Sequence, residues 1–314
     1  MNFRTEIQAE KLLHPIEHKH PLMFIGSCFA QNMGNAFAQA GFKCCVNPYG
    51  VVFNPVSVAT SLRHIMENKT YTVDDLVFSN HQWFSWFHHG SFAHADANEL
   101  LTMLNMQLEQ TTLFLKKANY LVITFGTAWV FQHKNLETIV TNCHKVAGSE
   151  FVRYKLSVEE IVAEWKALLV LLNQFNPNLQ FVFTLSPVRH LADGAHGNQL
   201  SKASLLLAID DLCATSGCHY FPAYELLLDD LRDYRFYDSD MVHPSSEAIE
   251  YIREKLFSAW LSPKTQQLAN EVIRLRKAEA HRPLHSNTPE WIAFCENVQM
   301  KIEKLKNENP SICW

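Results

Sequence analysis

The sequence predicts an α/β protein built on a parallel sheet covered by helices on both faces. Three observations carry that expectation. Short apolar runs recur along the chain, among them Leu22-Met23-Phe24-Ile25 and Tyr120-Leu121-Val122-Ile123-Thr124-Phe125. Longer segments with helical spacing separate them, and strands that are apolar throughout belong to sheets buried on both faces. Finally, Ser27, Gly50, Thr127 and Ser186-Pro187 all fall at the carboxyl ends of the expected strands. That is the edge where open α/β sheets bind ligands.

The elements follow in order. The first strand, 22–25, is closed by Gly26, after which Phe29, Met33, Ala36, Phe37 and Ala40 recur at helical spacing until Gly41. A second short strand covers 42–46, and Asn47-Pro48-Tyr49-Gly50 is a turn. The stretch at about 55–118 reads as an insertion, with helices over 56–68 and 98–115 around a histidine-rich aromatic segment, 81–89. The next strand, 120–125, ends at Gly126-Thr127. An amphipathic helix over 158–175 and a strand over 180–185 follow, then a helix over 202–216 stopped by Gly217. A fifth strand covers 219–221, and a helix over 246–260 follows His243. From Pro263 the chain becomes charged and helix-favouring, over 266–279 and 289–307, joined by 281–287. The expected organisation is one domain over 1–262 and a C-terminal helical extension over 263–314. That extension either packs on the body or joins copies into a homo-oligomer.

With 314 residues, 47% of them hydrophobic and 21 of them Phe, the chain can bury a full core. A net charge of −5 gives no electrostatic reason to expect nucleic acid or an anionic membrane as partner. The segment 1–17 is polar and carries charges of both signs, so no secretory signal is expected, and no apolar run reaches membrane-spanning length. The eight Cys are scattered without a CxxC pair, which suits reduced thiols and a cytoplasmic compartment.

Two separated signatures carry the chemistry. Gly26-Ser27-Cys28-Phe29-Ala30 places a serine where a strand meets a helix, and Asp240-Met241-Val242-His243-Pro244 supplies an acid and an imidazole. A serine hydroxyl needs a base to become a nucleophile, and the base needs an orienting acid. His243 is the candidate base and Asp240 its orienter. The plainer alternative makes Ser27 an N-cap and Asp240 a turn residue. Cys28 is a second candidate nucleophile. An oxyanion hole would draw on the backbone N–H groups of Ser27 and Gly50, with Thr127 or Asn142 as third donor. Arg189 and His190 are candidate substrate-binding residues, whereas Arg232 and Arg235 alternate with acids like an ion-pair network. The aromatics 83–87 suit core, pocket wall or lid. His18, His20, His88, His89 and His94 cluster in sequence but form no HExxH or paired-Cys ligand set, so no metal or other cofactor is expected.

Gly26-Ser27-Cys28-Phe29-Ala30 spells the signature of the GSCFA family. Asn47-Pro48-Tyr49-Gly50, Asn142-Cys143-His144-Lys145, Ser186-Pro187-Val188-Arg189-His190 and the segment 230–237 resemble that family as well. More distantly the chain resembles the SGNH or GDSL hydrolases, with 120–127 similar to their third sequence block and Asp240-Met241-Val242-His243 to their fifth. The resemblance implies a flavodoxin-like three-layer α/β/α fold. It also implies a serine esterase-like hydrolase or acyltransferase working through an acyl-enzyme on an oxygen ester, an O-acetylated carbohydrate being the favoured substrate. One position departs from the SGNH pattern: Ala128 stands where the third block carries an oxyanion-donating Asn. That departure suits a rival, a ligand-binding protein with reduced turnover; a metal-dependent hydrolase using the histidines is the other rival.

Overall fold

The chain lays down its first strand, β1 (Leu22–Gly26), buried along its whole length, and turns at once into α1 (Cys28–Gln39). The computed structural model describes residues 4–314 except 216 and 284–287. Next come β2 (Cys44–Val46), α2 (Pro55–Glu67), an antiparallel hairpin of β3 (Val77–Ser79) and β4 (Gln82–Phe84), and α3 (Ala97–Leu115). β5 (Tyr120–Phe125) returns to the main sheet, and β6 (Trp129–His133), β7 (Thr138–Val140) and β8 (Phe151–Lys155) form a small antiparallel sheet of their own. The main sheet is completed by α4 (Val158–Phe175), β9 (Gln180–Leu185), α5 (Gly194–Cys213) and β10 (Cys218–Phe221). A single turn, α6 (Ala223–Glu225), runs into a π-helical stretch, Leu226–Leu231, and three helices follow: α7 (Ser246–Trp260), α8 (Pro263–Glu279) and α9 (Pro289–Glu308).

The main sheet runs β10-β9-β5-β1-β2, every pair parallel. Taken as successive sheet strands this is the doubly wound flavodoxin-like order, and its winding reverses between β1 and β5. Side chains alternate along each strand, so neighbours serve opposite cores. Ile25, Ile123 and Phe183 pack with Leu62, Leu104, Trp165 and Leu205 from α2, α3, α4 and α5. Phe24, Val122 and Val182 pack with Phe37, Ile252 and Trp260 from α1 and α7. The result is the expected three layers. α8 and α9 build a small core of Val272, Leu275, Val298, Ile302, Leu305 and Ile312. It is fastened to the end of α1, where Cys313 N donates to Gly41 O at 2.8 Å and Arg276 Nη1 to Ala38 O at 2.8 Å.

α2 and α3, within the stretch read as an insertion, pack into the layer that covers one face of the sheet. Several boundaries differ from expectation for physical reasons. β2 starts at Cys44 rather than 42, since Phe42 leaves the strand to stack on His18 with ring centroids 4.1 Å apart. α5 begins at Gly194, well before 202, because buried Asn198, Ser201 and Lys202 occupy the core-facing side of its first turns. The expected end of that helix, Ser216, lies outside the described residues, as does part of the connection 281–287. Among the described residues no helix is long and apolar enough to cross a membrane.

Candidate active site

The site forms at the switch point, where β1 and β5 end side by side. Gly26 has φ +138°, and a Cβ there would lie 2.2 Å from Thr124 O, so no larger residue fits against β5. Its N–H donates to Asn47 Oδ1 at 2.9 Å. Asn47 is itself buried in a left-handed conformation, and its amide nitrogen reaches Ser27 O at 3.4 Å and Gln31 Oε1 at 3.2 Å. This clamp fixes the strand-to-helix corner. Ser27 is only 3% exposed and N-caps α1, its Oγ accepting from Phe29 N at 3.2 Å. The hydroxyl thus sits at the positive end of the helix macrodipole, a setting that favours developing negative charge.

The second signature is already assembled. His243 Nδ1 and Asp240 Oδ2 lie 2.6 Å apart. An ionised carboxylate only accepts, so Nδ1 carries the proton and Nε2 is left as the basic nitrogen. The other Asp240 oxygen accepts from Val242 N at 2.8 Å and His243 N at 2.9 Å. Those contacts, the His243 N–H first and its ring second, hold the Asp240 carboxyl down at about 2. The loop is pinned by Asp238 N to His243 O at 2.8 Å, Met241 N to Asp238 O at 2.9 Å and Ser245 N to Phe236 O at 2.8 Å. Met241 takes a left-handed φ of 57° within it, a locally strained conformation held by the surrounding bonds. Arg189 N donates to Val242 O at 3.2 Å, tying this loop to the segment that leaves β9.

Ser27 and His243 are brought to the same edge of the sheet but are not hydrogen-bonded to each other among the described residues. The buried serine hydroxyl is engaged in its cap, while the His243 side chain is 48% exposed. Cys28, beside the serine, is half-buried, and burial pushes its thiol up.

The residues read as oxyanion donors are used differently. Ser27 N donates to Thr124 O at 3.2 Å, and Gly50 N closes a turn on Asn47 O at 2.7 Å, so neither amide is free in this arrangement. Gly50 is required instead by its own chain, because a Cβ there would lie 2.4 Å from His89 Cβ. Thr127 Oγ1 lies 3.0 Å from Ser201 Oγ and accepts from Trp129 N at 3.2 Å. Ala128 is fully buried in the main core, its N–H donating to Ser201 Oγ at 2.8 Å, so it leaves no open space at the site. Asn142 uses its oxygen to accept from His144 N at 2.7 Å. Its amide nitrogen faces Gly90, next to the His89 that packs on Gly50, and makes no hydrogen bond among the described residues.

His190 is half-buried, its ring 5.5 Å from Phe53 and its N–H donating to Asn198 Oδ1 at 2.9 Å. Burial first, and the neighbouring Lys202 second, lower it to about 4, so it is neutral at pH 7. Lys202 escaped notice in the sequence. It is 1% exposed, and its Nζ donates to Gly126 O and Ser186 O at 2.7 Å each, stapling the ends of β5 and β9. Burial first, and Arg189 second, lower it to about 7. Its helical spacing from Leu205, Ile209 and Leu212, all buried, was the available signal.

A cavity of about 400 Å³ opens beside the Asp240 loop, lined in part by Arg189, Arg232, Tyr234, Tyr237 and Met241. Arg235 pairs with Asp233 at 3.7 Å as the charge alternation suggested. Arg232 does not: it has no carboxylate partner among the described residues and lines the cavity instead. Phe84 and Trp86 form a secondary core with Val140 and Phe151. His88 is buried and stacked on Tyr49 at 4.3 Å. Among the described residues no three His, Cys, Asp or Glu side chains are placed to hold a metal ion.

A model of the GSCFA family matches residues 21–256, and the model of the GSCFA domain protein C-terminal domain matches 272–314. The chain belongs to the GSCFA family. Among solved structures this GSCFA chain is similar to a carbohydrate esterase whose active site displays divergent catalytic and non-catalytic binding functions. The identity is 13% and the TM-score 0.35, over 78% of this chain and 66% of that one. It is also similar to the acetyl xylan esterase Est2A from the rumen bacterium Butyrivibrio proteoclasticus. Here the identity is 11% and the TM-score 0.37, over 78% of this chain and 63% of that one. The GSCFA chain thus spans under two thirds of the length of either. Comparison with curated proteins gives no match.

Proposed function

We propose that this chain is a serine hydrolase or acyltransferase acting on oxygen esters. The observation that carries the reading is the Asp240–His243 pair, its tautomer set by the 2.6 Å contact to Nδ1 so that Nε2 is the basic nitrogen. The serine it would serve is Ser27, at the tip of β1 on the same edge. In the proposed cycle Nε2 takes the Ser27 proton as Oγ bonds to the ester carbonyl carbon. The tetrahedral oxyanion collapses, the C–O bond breaks, and His243 returns the proton to the leaving alkoxide. Water or an acceptor hydroxyl then repeats the sequence on the acyl-enzyme and regenerates Ser27. The unengaged Asn142 amide is the proposed side-chain oxyanion donor, and the positive N-terminal end of α1 adds to it. An O-acetylated carbohydrate is the proposed substrate class, supported by a cavity of about 400 Å³ lined by two tyrosines next to the Asp240 loop.

A second reading, a binding protein with reduced turnover, is favoured by one observation: the N–H groups of Ser27 and Gly50 both already have acceptors. A panel of acyl p-nitrophenyl esters and acetylated sugars separates the two. Turnover abolished by Ser27→Ala and by His243→Ala supports the hydrolase. Tight binding with no turnover by the unaltered chain supports the binder.

A further inference from the structure

The cavity beside the Asp240 loop is lined by two cations without carboxylate partners. Arg189 and Arg232 both line it, and neither pairs with a carboxylate among the described residues. Lys202, next to Arg189, is bonded only to two carbonyl oxygens. The acid in the cavity wall, Asp233, is engaged by Arg235 through a 3.7 Å ion pair and by its backbone N–H at 2.9 Å. The acid on the loop, Asp240, is held by His243. Arg189 Nε is moreover buried with no hydrogen-bond partner. A buried donor without an acceptor is rare in folded proteins and calls for a ligand or water to complete it. The chain as a whole carries a net charge of −5, so two guanidinium groups without carboxylate partners in one cavity are a feature of the site and not of the composition.

Building on the ester-hydrolase reading, we propose that the substrate carries an anionic group, a carboxylate or a phosphate, remote from the scissile ester. Arg189 receives it in the cavity, with Arg232 as second cation. A guanidinium presents several N–H donors in one plane and binds either anion through paired hydrogen bonds. Tyr234 and Tyr237, with ring centroids 6.4 Å apart in the same cavity, offer apolar faces to the carbon skeleton that joins anion and ester. The site therefore selects acidic sugar esters over neutral ones.

Calorimetric titration of the Ser27→Ala chain tests this without requiring turnover. Three probes are compared: mono-O-acetylated glucuronic acid, mono-O-acetylated glucose 6-phosphate and neutral mono-O-acetylated glucose. At least one acidic probe should bind roughly 10- to 100-fold more tightly than the neutral one, the size expected of a charge-assisted contact. Which acid wins separates a carboxylate from a phosphate ester. Arg189→Gln should remove most of the preference and Arg232→Gln part of it, read in each variant as the ratio of acidic to neutral affinity. Arg189→Lys, which keeps the charge and loses the fork, should fall between them, and circular dichroism checks that each variant is folded. Equal binding of all three probes, no binding of any, or a preference surviving both Gln variants overturns the proposal. If the unaltered chain hydrolyses neutral and acidic esters alike, the hydrolase stands and the anion site falls. If it hydrolyses neither but keeps the binding preference, the reverse holds.

Discussion

Replacing Lys202 by Met tests how the site is held together. The ammonium is buried and donates to Gly126 O and Ser186 O, and burial lowers it from 10.5 to about 7. That fall corresponds, at about 1.4 kcal/mol per pH unit, to roughly 5 kcal/mol of destabilisation from the charged lysine. The sign follows from proton binding. Between pH 7 and 10.5 the unfolded chain keeps the Lys202 proton and the folded chain releases it, so stability rises with pH across that window. Below 7 both states hold the proton and the cost is fully present; above 10.5 it is gone. Met removes the cost but leaves two buried carbonyls without their donor, at about 1–3 kcal/mol each. At pH 7 the two effects nearly cancel, and wild type and Lys202→Met should have similar stability. Toward pH 10 the wild type should become the more stable by several kcal/mol. Urea unfolding followed by tryptophan fluorescence from pH 6 to 10 reads the difference, in which other titrations common to both chains cancel. A difference that stays flat with pH would refute the buried, carbonyl-bound cation.

Asp240→Asn should fold normally and lose roughly 10²–10⁴-fold in kcat on an ester substrate, because an amide no longer fixes the Nδ1–H tautomer of His243; steady-state kinetics with a melting curve checks both halves. His190 is neutral above about pH 4, so His190→Gln should leave any acid limb of the rate near neutrality in place; loss of that limb in a pH–rate profile would assign it to His190 instead. Gly26→Ala should cost more than about 3 kcal/mol, since its Cβ would meet backbone at 2.2 Å and φ is +138°; chemical denaturation at one pH measures it. Cys28→Ala, which leaves the Ser27 cap intact, should keep most of the rate, and a loss as deep as that of Ser27→Ala would point to the thiol.

The main strands were legible because each is apolar throughout, and the placement of Ser27 between β1 and α1 and the closeness of Asp240 to His243 were legible because both are local in the chain. What failed depends on distant partners. Nothing near Ser27 reveals that its N–H meets Thr124 O, whereas the bond from Gly50 N to Asn47 O is the ordinary closure of a four-residue turn and follows from reading 47–50 as one. Lys202 was unread because lysine normally marks the solvent face of a helix, whereas here its charge is satisfied by the carbonyl ends of two strands. β6, β7 and β8 are short and partly exposed, so their pattern resembles loop. Arg232 and Arg235 look alike among alternating charges, and only the fold sends one to Asp233 and the other to the cavity.

The most direct test of the central claim is covalent capture of the nucleophile. A fluorophosphonate probe should add one phosphonyl group to the folded chain, and peptide mass spectrometry should place it on Ser27. Labelling should vanish in Ser27→Ala and slow sharply in His243→Ala. A folded chain that stays unlabelled, or a label found on another residue, would contradict Ser27 as a nucleophile served by His243.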